Sequence, residues 1–357
     1  MQIGSVNVEE GETTKGYLEL IGRSTGHIDR APVMAACGDR DGDCLWVVAN
    51  VHGNETAGVE VTQRLFSSVS PENLDGTLVC IPSINISGFE SGTRRSGYDH
   101  NDPNRVYPDF RNDEKDEDVM GATERVNKRL FDRIDEFADY LIDLHSWGYD
   151  SAPFTIKHRA FVHDGLPEPR AQEIKDEVEL MSKAVGFTSL KEEPAEEIIE
   201  NNYHRSLASA ALNAAKTPAV TIELGPKYNI LDENIGTTVK GIRHYMSQKD
   251  ILKKESDRPQ VSSLSNMDLQ KACARSQRSG ILRKAVSTGT EFGEDDTLCR
   301  ILDLFGEKRH EVTAESDGWV FAFKKGRSVH EGHPVVHYGR KSDAPLVVSL
   351  PENYRLE

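Results

Sequence analysis

Leu45-Trp-Val-Val-Ala-Asn-Val51 is apolar almost without interruption, and this run constrains the fold more than any other feature. A strand wetted on one side alternates polar and apolar residues. A continuous run belongs to a strand covered on both faces, in a parallel or mixed sheet with helices packed against it. The run stops at His52-Gly-Asn-Glu55. Two more runs stop in a similar way: Leu141-Ile-Asp-Leu-His145 on a histidine and Ala219-Val-Thr-Ile-Glu223 on a glutamate. Open α/β sheets gather ligands at the carboxyl ends of their strands, so three ends carrying His/Glu, His and Glu point to one site.

The rest of the chain fits an α/β reading. Residues 1–35 are polar with short alternating stretches, expected to form an edge hairpin leading into the core. Glu60–Phe66 has helical spacing, and Gly76–Pro82 reads as the next strand. Residues 85–120 are rich in Gly, Asn, Asp, Pro and Arg and show no apolar period; a loop of that length in a compact domain is functional or disordered. Helices are expected at Thr123–Phe137, Gln172–Val185, Ser206–Ala215 and Gly236–Met246, with strands at Tyr140–Leu144 and 219–224. Strands and helices that alternate with short links define the class. The expected division is an α/β domain over 1–246, a charged, Ser-rich linker over 247–278, and a small all-β domain over 279–357. In the last, short runs alternate with Gly and Asp-Gly turns.

Composition narrows the partners. With 43 Lys and Arg against 59 Asp and Glu, the formal charge is −16, which argues against nucleic acid, since phosphate contacts need a basic face. Five cysteines without a CxxC spacing suggest neither a disulfide framework nor a Cys-zinc cluster. No segment approaches 18 apolar residues, and the first residues carry no basic stretch followed by an apolar one. The expectation is a cytoplasmic protein with no membrane partner.

His52 and Glu55, three residues apart after a strand, can reach one divalent ion. Zinc accepts imidazole nitrogen and carboxylate oxygen, and a catalytic zinc takes three protein ligands and keeps one position open. His145 is the candidate third ligand. Glu223 is better suited to general-base work, taking a proton from the attacking water and handing it to a leaving amine; the plainer alternative is a strand-end glutamate paired with a lysine such as Lys227. Asp143 lies on the same side of its strand as His145 and can orient that imidazole. Arg94 and Asn104-Arg105, in the long loop, have the donors for an oxyanion or a carboxylate. They also fit a charged surface loop in which Asp99, Asp102 and Asp109 pair the arginines.

Taken together, His52-Gly-Asn-Glu55, Asn85-Ile-Ser-Gly-Phe89, Gly92-Thr-Arg94, Asp102-Pro-Asn-Arg105, Tyr107-Pro108, Asp143-Leu-His145 and Thr221-Ile-Glu223-Leu-Gly225 resemble the succinylglutamate desuccinylase/aspartoacylase family, a relative of the zinc carboxypeptidases. The resemblance spans about residues 30–245. It implies a carboxypeptidase-like mixed sheet flanked by helices, and one zinc per chain on His52, Glu55 and His145. It implies Glu223 as general base, Arg94 polarising the scissile carbonyl, and Asn104 and Arg105 holding a substrate carboxylate. The reaction implied is hydrolysis of an amide, commonly of an N-acyl amino acid. Pro103 stands where the family usually has leucine, and Asp109 where glycine often follows the proline. An acidic residue near an anion site weakens carboxylate binding or favours an amine-bearing substrate. Tyr203, His204 and Arg205 either face substrate or cap the following helix.

The segments Thr288–Leu298, Asp317–Val320 and Val329–Val335 are similar to the family's small barrel-sandwich domain, expected to shield the active site or form a homo-oligomer contact. No carrier lysine hairpin is evident, and His330, His333 and His337 read as strand and turn histidines. The readings left open are a zinc carboxypeptidase or ester hydrolase on the same scaffold, and a silent ligand-binding protein.

Overall fold

A computed structural model describes residues 1–40, 42–111, 119–254, 256–260, 264, 267–324, 328–351 and 354. A small hairpin, β1 (Gln2–Ile3) and β2 (Val6–Asn7), precedes the long antiparallel pair β3 (Thr13–Gly22) and β4 (Ile28–Cys37). The centre of the main sheet holds β5 (Cys44–Ala49), β6 (Thr77–Ile81), β7 (Tyr140–His145), β8 (Phe154–Lys157), β10 (Thr188–Lys191) and β11 (Ala219–Glu223), while β9 (Ala160–Val162) lies outside it. Every residue of β5, β7 and β11 is buried, as their apolar runs require. β11, β7, β5 and β6 are neighbours and mutually parallel. Their carboxyl ends therefore share one edge, and the register sets Glu223 directly beside His145.

Helices α1 (Ala57–Ser67), α3 (Ala122–Phe137), α4 (Glu168–Val185) and α7 (Asp232–Gln248) cover the sheet. Each turns an apolar stripe inward: Val61 and Leu65 from α1, Leu130 and Ile134 from α3, Ile174 and Val178 from α4, Ile242 and Tyr245 from α7. Among the described residues, no helix is long and apolar enough to cross a membrane.

The sheet does not end at β10. Strand β12 (Leu269–Arg275) pairs parallel to β10 and carries the sheet into the C-terminal region. There β17 (Gly318–Phe323) and β19 (Pro334–Lys341) extend it, with β14 (Glu291–Phe292) at the far edge. A separate four-stranded sheet contains β13 (Gly280–Lys284), β15 (Thr297–Leu302), β16 (Lys308–Thr313) and β18 (Ser328–Val329). The last strand, β20 (Val347–Ser349), returns to pair with β9. Phe154, Ile156 and Leu190 pack with Leu269, Trp319 and Phe321 in one apolar cluster, so N-terminal and C-terminal strands share a core.

The α/β class and its C-terminal β region are as expected. Four local readings differ. β12 falls within the stretch read as linker; charge and serine dominate that stretch, but Leu269-Gln-Lys-Ala-Cys-Ala-Arg275 finds a buried sheet edge to pair with. β8 and β10 are four residues each, too short for a period to register. The loop over 85–120 contains α2 (Ile86–Ser91), capped by the Asn85 side chain and closed by Gly92 in the left-handed region. The helix expected over Ser206–Ala215 has one α turn, then a wider π turn over Ala211–Ala215.

Candidate active site

The edge where the parallel strands end is built first from Asn50, which sits at φ 58°. Asparagine tolerates this left-handed conformation better than most residues. Its buried side-chain amide donates to the carbonyls of His52, Gly53 and Glu55 at 3.0–3.1 Å, and its oxygen accepts from Ser83 Oγ at 2.7 Å. One side chain thus ties together three carbonyls of the His52–Glu55 turn. Gly53 is required by close approach, because a Cβ there would overlap the Gly88 and Phe89 backbone at the start of the long loop.

His52, Glu55 and His145 are 3%, 2% and 3% exposed, and one ligand atom from each lies within 4.8 Å of the others. His52 Nδ1 faces His145 Nδ1 at 3.1 Å, and Glu55 reaches both rings at 3.1 and 2.9 Å. Behind each ring stands a carboxylate: Asp102 at 3.1 Å from His52 Nε2 and Asp143 at 3.0 Å from His145 Nε2. Such backing carboxylates accept a hydrogen bond from Nε2–H and leave the Nδ1 lone pairs turned inward, the arrangement that orients imidazoles for a metal. Two facing lone pairs and a carboxylate are a poor hydrogen-bonding set and a good donor set for zinc, so these residues fit the metal. Burial works against charge on both sides of the cluster. Even so, the histidines hold Glu55 well below the usual carboxylate range, and Asp143 and Glu55 raise His145 well above the usual imidazole value.

Around this cluster the candidate residues line a cavity of about 520 Å³. Glu223 borders it; its Oε2 is buried with no hydrogen-bond partner. Burial, together with the charge of Glu55, pushes its carboxyl up to about 7, against the pull of His145 and Lys227. Lys227 is not its partner: the ammonium sits 2.7 Å from Glu55 Oε1. Arg94 lies 3.3 Å from His52 Nδ1 and 3.4 Å from Glu55 Oε1, steadied by Asp102 at 3.0 Å. Asn104 Oδ1 accepts the Leu207 N–H at 2.8 Å, and its amide lies 3.4 Å from His145 Nε2. Arg105 stacks on the Tyr203 ring, 4.4 Å from its centroid. The cavity thus collects His52, Glu55, Arg94, Asn104, Arg105, His145 and Glu223.

The three residues after Asn202 separate. Tyr203 lines the cavity, while His204 is buried 3.2 Å from Asp109. Arg205 turns to the Tyr107 carbonyl and Glu124. Asp109 likewise faces His204 and Arg111, away from the cavity. Sequence reasoning passed over a further wall made of Trp147, His158, Glu192, Glu193 and Lys271. His158 and Glu192 follow β8 and β10 directly, but β8 runs antiparallel to β11 and β10 runs parallel to β8, so the shared carboxyl edge of β5, β7 and β11 does not point to them.

Comparison with known proteins agrees with this architecture. The profile of the succinylglutamate desuccinylase/aspartoacylase catalytic domain matches residues 41–248, more than half of the chain. An N-alpha-acetyl-L-2,4-diaminobutyric acid deacetylase of Halomonas elongata is 23% identical over 305 residues, covering 83% of this chain and 81% of that one. A succinylglutamate desuccinylase/aspartoacylase structure from Rhodobacter sphaeroides superposes with a TM-score of 0.76 at 17% identity, covering 95% of this chain and 98% of that one. The ectoine utilization protein EutE of Ruegeria pomeroyi, solved with product bound, gives 0.74 at 20% identity, over 94% and 97% of the two chains.

Proposed function

The chain belongs to the succinylglutamate desuccinylase/aspartoacylase family, and from that premise we propose that it is a zinc-dependent hydrolase of the amide bond in N-acyl amino acids. The observation that carries this reading is a buried, unpartnered Glu223 oxygen on the same cavity as the converging His52, Glu55 and His145. The relative from Halomonas elongata, a deacetylase of an N-acetylated amino acid by its name, supports the substrate class.

His52, Glu55 and His145 would hold the zinc, which when bound supplies Lewis acidity and lowers the pKa of water. Glu223 takes the proton of the attacking water as the new C–O bond forms at the acyl carbon. It then delivers that proton to the amine nitrogen as the C–N bond breaks, leaving a carboxylate and a free amine. Arg94 donates to the acyl oxygen as negative charge develops there. Asn104 and Arg105 hold the substrate carboxylate, with Tyr203 keeping the guanidinium plane in place.

The test is metal content of protein purified without chelator, together with turnover of N-acetyl amino acids. About one zinc per chain is expected in the wild type, with its loss in His52→Ala. Protein that holds no metal and takes up none on addition overturns the proposal. Release of C-terminal residues from unblocked peptides, with N-acyl amino acids untouched, would instead favour the carboxypeptidase reading.

A further inference from the structure

The cavity has two ends, divided by the His145 ring. Asn104, with Arg105 next to it in sequence, stands 3.4 Å from Nε2 of that ring, while Glu55 meets Nδ1 at 2.9 Å. On the Glu55 side the cavity opens between two loops, one after β7 and one after β11. Tyr149 and Tyr228 line it there, 43% and 57% exposed, with ring centroids 4.8 Å apart and planes 30° from parallel. Backbone hydrogen bonds continue past the strand ends and tie the two loops together. Leu224 N–H donates to the His145 carbonyl at 2.9 Å, and Trp147 N–H to Gly225 and Lys227 N–H to Gly148, both at 3.0 Å. Gly148, at φ 52°, turns the chain so that Trp147 packs against Phe154 and Phe321 while Tyr149 faces Tyr228. The Asn54 amide, one residue before Glu55, donates to the Tyr228 hydroxyl at 3.1 Å. The tyrosine pair is thus a fixed wall, held from both strands and from the metal-binding turn.

Two stacked rings left exposed on a cavity offer an aromatic ligand faces and edges that need no rearrangement to receive it. A third ring extends the stack and covers apolar surface that water otherwise meets. We infer that Tyr149 and Tyr228 form the acyl subsite, and that the preferred substrates carry an arylacyl group, a flat ring joined by a short link to the scissile carbonyl. The inference rests on the deacylase reading. In that reading Asn104 and Arg105 hold the amino-acid carboxylate and Arg94 meets the acyl oxygen. The acyl substituent then leaves the cluster on the Glu55 side, toward the tyrosines. Lys227 is the other group at this end, and it would suit an acyl chain bearing a carboxylate. Its ammonium already sits 2.7 Å from Glu55 Oε1 and its side chain is 13% exposed, so the tyrosines present the larger open surface.

The experiment compares kcat/KM of zinc-loaded enzyme for the N-acetyl, N-phenylacetyl, N-cyclohexylacetyl and N-succinyl derivatives of one amino acid, repeated over a panel of amino acids. The phenylacetyl carbonyl is not conjugated with its ring, so its amide matches the acetyl amide in intrinsic reactivity and the ratio reports contact with the wall. Wild type is expected to prefer phenylacetyl over acetyl by about tenfold or more. It should also prefer phenylacetyl over cyclohexylacetyl, which has the bulk without the flat face. Tyr149→Leu and Tyr228→Leu should each collapse the preference, and Tyr228→Phe should keep it. Both positions lie at the surface, and either Leu variant carries the test if the other fails to fold. Acetyl or cyclohexylacetyl turned over as well as phenylacetyl overturns the aromatic subsite and leaves the deacylase reading standing. A preference unmoved by the Leu variants does the same. So does N-succinyl as the best substrate, which would assign the acyl end to Lys227. Turnover of none of the four, on any amino acid, overturns both.

Discussion

Glu223 carries the sharpest prediction at the scale of a residue. A carboxyl pushed up to about 7 by burial is protonated below that pH and cannot act as a base, so kcat/KM should rise with pH through an acid limb. A cation bound beside it favours the ionised form, so metal loading moves that limb below 7. Glu223→Gln is expected to lower kcat by about 10²- to 10⁴-fold and remove the limb, with zinc still bound. The sign for stability is opposite to that for activity. A folded value raised above the unfolded one means the native state binds the extra proton, so the metal-free protein loses stability as pH rises from the ordinary carboxylate range toward 7. Glu223→Gln removes that loss, so the Tm of metal-free variant and wild type should diverge in the variant's favour between pH 5 and 8. Equal Tm differences at both ends would show that the side chain is not buried as a carboxyl.

The turn from Asn50 to Glu55 governs the site at the scale of an element. Its sequence signal, a strand ending in His-x-x-Glu, locates two metal-binding candidates without showing what holds them. The structure supplies that: Asn50 ties three carbonyls, and Gly53 lets α2 approach. Gly53→Ala should therefore separate this turn from α2 and displace both His52 and Arg94, whose loop is tied to Asn85. The expected result is zinc affinity reduced by about tenfold or more, within the range for residues that orient metal ligands, read by chelator competition. Unchanged affinity would mean the loop yields without moving the ligands. Long elements such as α3 and α4 were legible because a period repeats several times in 16 or 18 residues. The four-residue strands β8 and β10 gave no period to read, and with them went His158, Glu192 and Glu193.

At the scale of the molecule, the sheet that carries the site runs on through β12 into the C-terminal strands. Truncation after residue 260 would strip β12 from the β10 edge and uncover Phe154, Ile156 and Leu190. An open, apolar edge of this kind pairs with other chains. The truncated chain should be insoluble or eluted in the void volume on gel filtration, whereas a monodisperse product would show that residues 1–260 hold their core alone. The sequence by itself determined the α/β class and the three apolar strands. It also determined the residues at their ends, because burial on both faces and chemistry at strand termini leave local marks in the chain. Only the tertiary structure decided that Lys227 belongs to Glu55 rather than Glu223, that Asp109 faces away from the cavity, and that Lys271 crosses from an apparent linker to meet Glu193. Those pairings join residues tens to more than a hundred positions apart. Which charge meets which is set by strand order and register, and neither is written in any local stretch of sequence.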